Sequence, residues 1–254
     1  MSRTVLVTGS ASGIGQAIKV RLEAEGHRVI GADLHLAEIE ADLSTPAGRS
    51  AMVERAYSLA PEGLDGVVAG AGISRADLPT QTLAVNFFGA VATLEGLRPL
   101  LVRAARPRAV AICSTASLLT YDSAVVAACL AGNEARALVE IGARPQTAYM
   151  SSKRALSLWL RRAAVTRDWA GSGVLLNGVA PGVVETGMTA PLLADPDMIK
   201  LIAQSNPMAV GGFAHPDEIA ELVCFLLGFE SHYLLGQVIF TDGGSDALMR
   251  PETF

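Results

Sequence analysis

The 254-residue sequence predicts one doubly wound, Rossmann-like α/β domain, a parallel sheet with helices on both faces. Three observations carry this. Short β-branched or apolar runs alternate with longer helical patterns along the whole chain. Half of the residues are apolar and only 18% are charged, the balance of a sheet buried on both faces. No Pro/Ser-rich linker, charge block or repeat divides residues 1–254, so a single domain is expected.

In chain order, the first strand is Thr4 to Val7, and a glycine turn leads from it into a helix from Ile14 to Glu25 that Gly26 stops. Arg28 to Ala32 and Gly66 to Ala69 read as the next strands, the latter followed by a helix over Leu83 to Arg103. Ala109 to Cys113 is a strand, Tyr149 to Trp169 a helix and Val174 to Val179 a strand. Pro216 to Leu227 is a helix, and Gln237 to Thr241 closes the sheet.

The net charge of −5 comes without a basic cluster, which argues against nucleic acid as a partner. Cys113, Cys129 and Cys224 lie far apart with no histidines in a ligand pattern, so neither a disulfide framework nor a metal site is indicated, and a reducing cytoplasmic setting fits. No run approaches the roughly 20 apolar residues of a membrane span. A soluble protein is expected.

Thr8 to Gly15 follows the first strand and opens the first helix. Its Gly9, Ser12, Gly13, Ile14 and Gly15 suit a tight turn that lets a pyrophosphate reach helix N-terminal N–H groups. The spacing is Gly-x-x-x-Gly-x-Gly; a glycine-rich turn that binds nothing is the plain alternative. Asp33 ends the second strand, 18 residues after Gly15. A carboxylate there accepts hydrogen bonds from an adenosine ribose and repels a 2′-phosphate, which points to NAD rather than NADP. Tyr149 and Lys153 stand four residues apart, on one face of a helix. A phenol titrates near 10, so proton exchange near neutral pH calls for a neighbouring cation to stabilise the phenolate. Lys153 is placed to do so. Ser114 follows a strand at the carboxyl end of the sheet, where its hydroxyl suits a substrate carbonyl, with Thr115 and Ser117 as near competitors. Asn86, inside an apolar helical run, needs a hydrogen-bond partner if buried.

Thr8 to Gly15, Asp42-Leu43, Ala71-Gly72, Asn86, Ser114, Tyr149-x-x-x-Lys153 and Pro181-Gly182 occur in the order found in short-chain dehydrogenases/reductases, and the chain resembles that family over nearly its whole length. Ala41 to Thr45, the segment before Tyr149 and the closing Asp246 to Pro251 look like a narrower group, the bacterial 3α-hydroxysteroid dehydrogenases/carbonyl reductases. The resemblance implies Ser114, Tyr149, Lys153 and Asn86 as the catalytic set, with Asn86 holding a water that links the lysine to solvent. It implies Asp42 and Leu43 against an adenine and Ala71 and Gly72 lining the cleft. It places Pro181, Gly182, Val184 and Thr186 at nicotinamide and phosphate, and favours Ser114 over its competitors. Where the family usually has Asn-Asn-Ala-Gly, this chain has Ala69-Gly70-Ala71-Gly72.

Ser114 and Tyr149 are 35 positions apart, more than most of the family needs, so an insertion over about 117–147 is expected to cover the flank of the Tyr149 helix. In much of the family that helix packs on its copy in a tetramer; the insertion would obstruct that contact and leave a homodimer, through the last strand and the Pro216 to Leu227 helix. Thr186 to Pro207 carries Met188, Leu192, Leu193, Met198, Ile199, Leu201 and Ile202. It reads equally as a lid over a bulky hydrophobic alcohol or carbonyl and as a helix packed on the body. The functional expectation is NAD(H)-dependent interconversion of a hydrophobic secondary alcohol and ketone, most nearly a 3-hydroxy/3-keto steroid. An aryl alcohol such as coniferyl alcohol is the alternative substrate, and a non-catalytic dinucleotide sensor the alternative class.

Overall fold

A computed structural model describes residues 2–253. The strands are β1 (Thr4–Thr8), β2 (Arg28–Asp33), β3 (Ile39–Glu40), β4 (Gly66–Ala69), β5 (Arg108–Ile112), β6 (Leu175–Pro181) and β7 (Val238–Thr241). They form one seven-stranded parallel sheet in the order β3-β2-β1-β4-β5-β6-β7. The chain moves outward from β1 to β3, then returns to place β4 on the other side of β1. That reversal opens a crevice at the carboxyl ends of β1 and β4, the place where open α/β sheets bind ligands.

The helices are α1 (Gly13–Ala24), α2 (Pro46–Leu59), α3 (Pro79–Leu83), α4 (Ala90–Leu101), α5 (Ser123–Leu130), α6 (Glu134–Ala143), α7 (Ala148–Ala164), α8 (Ala190–Leu193), α9 (Pro196–Ser205), α10 (Pro216–Gly228) and α11 (Ser245–Met249). The period-2 alternation of the strands sorts the core into two layers. Val5, Val7, Val68, Val110, Ile112 and Val179 point to α1 and α10, where Ile18, Leu22, Ile219 and Val223 meet them. Leu6, Val67, Ala69, Ala109, Ala111 and Leu176 point the other way, toward Met52 of α2, Leu94 and Leu97 of α4, and Leu156 and Leu160 of α7. Branched side chains fill the first layer. Alanines dominate the second, so α4 and α7 approach the sheet closely.

Several boundaries differ from the sequence expectation. The helix expected over Leu83 to Arg103 begins at Pro79, passes through a π-helical turn (Ala84–Gly89) and ends at Leu101. The helix expected to reach Trp169 stops at Ala164; the chain then folds back so that Trp169 is buried edge-on against Trp159, ring centres 6.3 Å apart. Strand β3, two residues long, and α2 were not anticipated. Thr45 caps α2 by accepting the Gly48 N–H, and Pro46 sits in its first turn, where a missing N–H costs nothing.

The segment expected as an insertion forms α5 and α6. Asp122 caps α5, and its own N–H donates to Ser151 Oγ of α7 at 2.9 Å, pinning the insertion to the helix of Tyr149 and Lys153. No described helix is long and apolar enough to cross a membrane. Leu160 is fully buried on the α7 face that meets β6. Leu160→Ala is expected to cost about 2–5 kcal/mol of stability, read from the midpoint of urea unfolding at constant m-value.

Candidate active site

Residues from the ends of six strands, β1 to β6, enclose a cleft of about 410 Å³ at the reversal point. At one side stands the glycine turn. Gly9 has φ +76°, and a Cβ there would lie 2.9 Å from the Ala71 backbone; a Cβ on Gly15 would collide with the Gly9 carbonyl. The turn thus packs against both the β4 loop and its own helix with no room for side chains. Ser12 opens α1 without a side-chain cap, so the helix N-terminus, with Gly13, Ile14 and Gly15, faces the cleft bare. Such an end attracts a polyanion.

Asp33 lies at the rim. One of its carboxylate oxygens accepts the Ala11 N–H at 2.9 Å and the other the Leu34 N–H at 2.7 Å, which fixes the group and leaves lone pairs for hydroxyl donors. Asp42 and Leu43 form the adjoining wall, and Asp42 is held by accepting the Ser44 N–H. Ala71 and Gly72 line the floor. The loop lacking the family's asparagines is tied down by Thr8, whose Oγ1 accepts from the N–H groups of Gly70 and Ala71 at 3.1 and 3.2 Å.

At the far side, Ser114, Tyr149 and Lys153 come together. Ser114 caps a 3-10 turn by accepting the Ala116 N–H at 3.1 Å, which leaves its hydroxyl proton free to donate. Thr115 and Ser117 are buried outside the cleft, so the structure separates Ser114 from its competitors. Lys153 is 4% exposed and donates to the Ile112 carbonyl at 2.7 Å. Pro181, Gly182, Val184 and Thr186 close the cleft; Thr189 steadies them by accepting the Thr186 N–H at 3.0 Å and donating to the Val184 carbonyl.

Two details depart from the expected arrangement. Burial pushes the Tyr149 phenol above its usual range; the Ser114 hydroxyl pulls it back in part, and the Cys113 thiol adds to the rise. The Lys153 ammonium stands 5.8 Å from the centre of the phenol ring and donates to the Ile112 carbonyl. Burial also brings the Lys153 ammonium down from 10.5 to about 8. Asn86, fully buried, lies behind the cleft rather than in it. Its amide accepts the Ile73 N–H at 2.8 Å and donates to the Ile73 carbonyl at 2.9 Å and to Ser152 Oγ at 3.2 Å. Ile73 in turn lines the cleft. Only Gly72 separates Asn86 from the lysine: a Cβ on it would lie 3.2 Å from Asn86 Oδ1 and 3.6 Å from Lys153 Nζ. Thr8, Ile73, Ile112 and Thr189 were not singled out from sequence. Thr8 and Thr189 are hydroxyls serving distant or local backbone, and only a turn motif around Thr186 would have hinted at the second.

A seat for a polyanion at one side and proton-handling groups at the other are the requirements of a dinucleotide-dependent oxidoreductase, and known proteins agree with that class. The family model described as enoyl-(acyl carrier protein) reductase matches residues 9–246, and the chain belongs to the short-chain dehydrogenase/reductase family. It is 38% identical over 257 aligned positions to the 3-alpha-hydroxysteroid dehydrogenase/carbonyl reductase of Comamonas testosteroni, covering 98% of this chain and 99% of that one. The crystal structure of the 3-alpha-hydroxysteroid dehydrogenase from Pseudomonas sp. B-0831, complexed with NADH, superposes with a TM-score of 0.91 at 43% identity, over 99% of this chain and 100% of that one. A cis-4-hydroxycyclohexanecarboxylate dehydrogenase of Sinomonas cyclohexanicum is 29% identical over 97% of both chains.

The buried lysine sets a pH dependence. Between about pH 8 and 10 the unfolded chain keeps the lysine proton while the folded chain releases it, so this group makes stability rise with pH. The buried thiols and phenol, whose values are raised, act in the opposite sense at the top of that window. Comparison with Lys153→Met isolates the lysine. The wild-type curve should climb relative to the variant by on the order of 1 kcal/mol per pH unit, measured by urea unfolding at pH 7, 8, 9 and 10.

Proposed function

We propose that this protein uses NAD(H) to interconvert a hydrophobic secondary alcohol and ketone, and that a 3-hydroxy/3-keto steroid is its substrate. The observation that carries the reading is the single cleft holding Asp33 at one side and Ser114, Tyr149 and Lys153 at the other. The likeness to two 3-alpha-hydroxysteroid dehydrogenases over nearly the full length, one of them an NADH complex, supports both cofactor and substrate class.

Gly9, Ser12, Gly13, Ile14 and Gly15 seat the pyrophosphate, Asp33 the adenosine ribose, and Asp42 with Leu43 the adenine. Pro181, Gly182, Val184 and Thr186 meet the nicotinamide end, with Ala71 and Gly72 beneath. The cofactor supplies or takes up the hydride. Ser114 donates to the substrate oxygen and Tyr149 gives or receives its proton. A phenol raised by burial is protonated at neutral pH, so the resting site is loaded as a proton donor for ketone reduction. Lys153 holds a proton close to neutrality and binds the nicotinamide ribose. Asn86 serves the proton relay from its place across Gly72, while its side chain fixes Ile73.

Thr186 to Pro207 acts as the lid: no residue of α8 or α9 is buried, as a helix packed on the body would require, and Met188 lines the cleft. The insertion over 117–147 occupies the flank of α7, which favours a homodimer through β7 and α10, where Phe225 is 56% exposed. Three buried, unpaired cysteines suit the cytoplasm.

Tyr149→Phe separates enzyme from sensor. It should lower kcat by about 10²–10⁴-fold while NADH still quenches or enhances fluorescence with wild-type affinity. Oxidation of NADH against a 3-ketosteroid, an aromatic aldehyde and small ketones tests the substrate; turnover of the aldehyde alone moves the reading to aryl alcohols, and faster reaction with NADPH removes the role given to Asp33. Sedimentation should give a dimer; a tetramer would defeat the steric role of the insertion.

A further inference from the structure

The guanidinium of Arg49, a residue of α2 that is 7% exposed, bridges the loop between β3 and α2 and the insertion. Its Nε donates to the Leu43 carbonyl at 2.8 Å and one terminal nitrogen to the Ser44 carbonyl at 3.1 Å. That nitrogen and the other terminal one grip Glu134 in a bidentate pair, at 2.6 and 2.7 Å. Glu134 is the first residue of α6, in the insertion, where the helix N-terminus favours its negative charge. Leu43, with Asp42, forms the wall assigned to the adenine. The Phe88 ring of the π-helical turn that carries Asn86 lies 5.8 Å below the guanidinium.

We infer that Arg49 and Glu134 are positioning residues for the adenine wall, and that the insertion thereby sets the affinity for the adenosine half of the cofactor as well as shaping the surface. The inference rests on the cofactor assignment above. The loop from β3 to α2 is short, and its Leu43 and Ser44 carbonyls reach the insertion only through Arg49. Without Glu134, a buried guanidinium would keep a charge with no counter-ion and would pull on the Leu43 and Ser44 carbonyls alone or shift toward solvent. Either response moves the peptide that carries Leu43. A lysine at this position has a point charge and cannot hold two carbonyls and a carboxylate in one plane.

The test is Glu134→Gln, chosen because the Glu134 side chain is 25% exposed and the amide keeps its shape. Its dissociation constants for NADH and for AMP should rise roughly three- to tenfold, with kcat within about twofold of wild type, a signature of lost ground-state binding. Arg49→Lys should weaken AMP at least as much, and adding Glu134→Gln to it should cost little more. Arg144→Ala is the control: it breaks the insertion's pair with Asp122 without touching the adenine wall. Unchanged AMP and NADH binding in Glu134→Gln overturns the inference while leaving the proposed function intact. So does an equal loss in Arg144→Ala, which would mean general loosening. Wild-type protein that binds no NADH overturns both.

Discussion

One buried hydrogen bond organises this site: the Lys153 ammonium on the Ile112 carbonyl. Burying a cation is costly unless it finds partners, and this one is held where the last peptide of β5 leaves the sheet. The bond fixes the rotation of α7 relative to β5. Tyr149, one turn earlier, and Ser114, two residues past Ile112, then face each other across the cleft. Tightness follows from the alanine-rich layer. Within it, Gly178 of β6 leaves no room for a side chain, since a Cβ there would lie 3.0 Å from Leu160 Cδ1 of α7 and 3.1 Å from Cys113 Sγ; a valine would hold the helix away.

The electrostatics of the pair follow from the same burial. Burial disfavours the charged form of each group, raising the phenol and lowering the ammonium to about 8. An isolated view of the Tyr-x-x-x-Lys spacing predicts the reverse for the tyrosine, because it counts the neighbouring cation and not the desolvation. Burial is the largest cause of both shifts, and the ammonium is held on the Ile112 carbonyl.

Much of the cleft was legible in the sequence because its parts are local patterns. The glycine turn, the strand-ending Asp33, the four-residue spacing of Tyr149 and Lys153, and Pro181-Gly182 each sit at a strand end that hydropathy alone locates. What was illegible depends on partners far along the chain. Nothing near Asn86 says that its amide will close on Ile73, nothing near Thr8 that its hydroxyl will accept the N–H groups of Gly70 and Ala71, and nothing in Arg49 that a carboxylate 85 positions away will meet it. Strand β3 escaped because two residues show no period, and α2 because its apolar residues form no continuous stripe.

The two helices between Ser114 and Tyr149 also illustrate where a parallel sheet is open to growth. Joining β5 to β6 already requires a long crossover, and the entropy of closing a loop grows only with the logarithm of its length, about 0.6 kcal/mol per doubling. Extra residues there add little to the chain entropy lost on folding, while their packing on α7 and α3 recovers apolar burial. Between β1 and α1 the same addition would be ruinous, since the Gly9 and Gly15 backbones touch with no space between them. New structure in this architecture therefore accumulates along its long crossovers, and the short turn at the crevice stays closed to it.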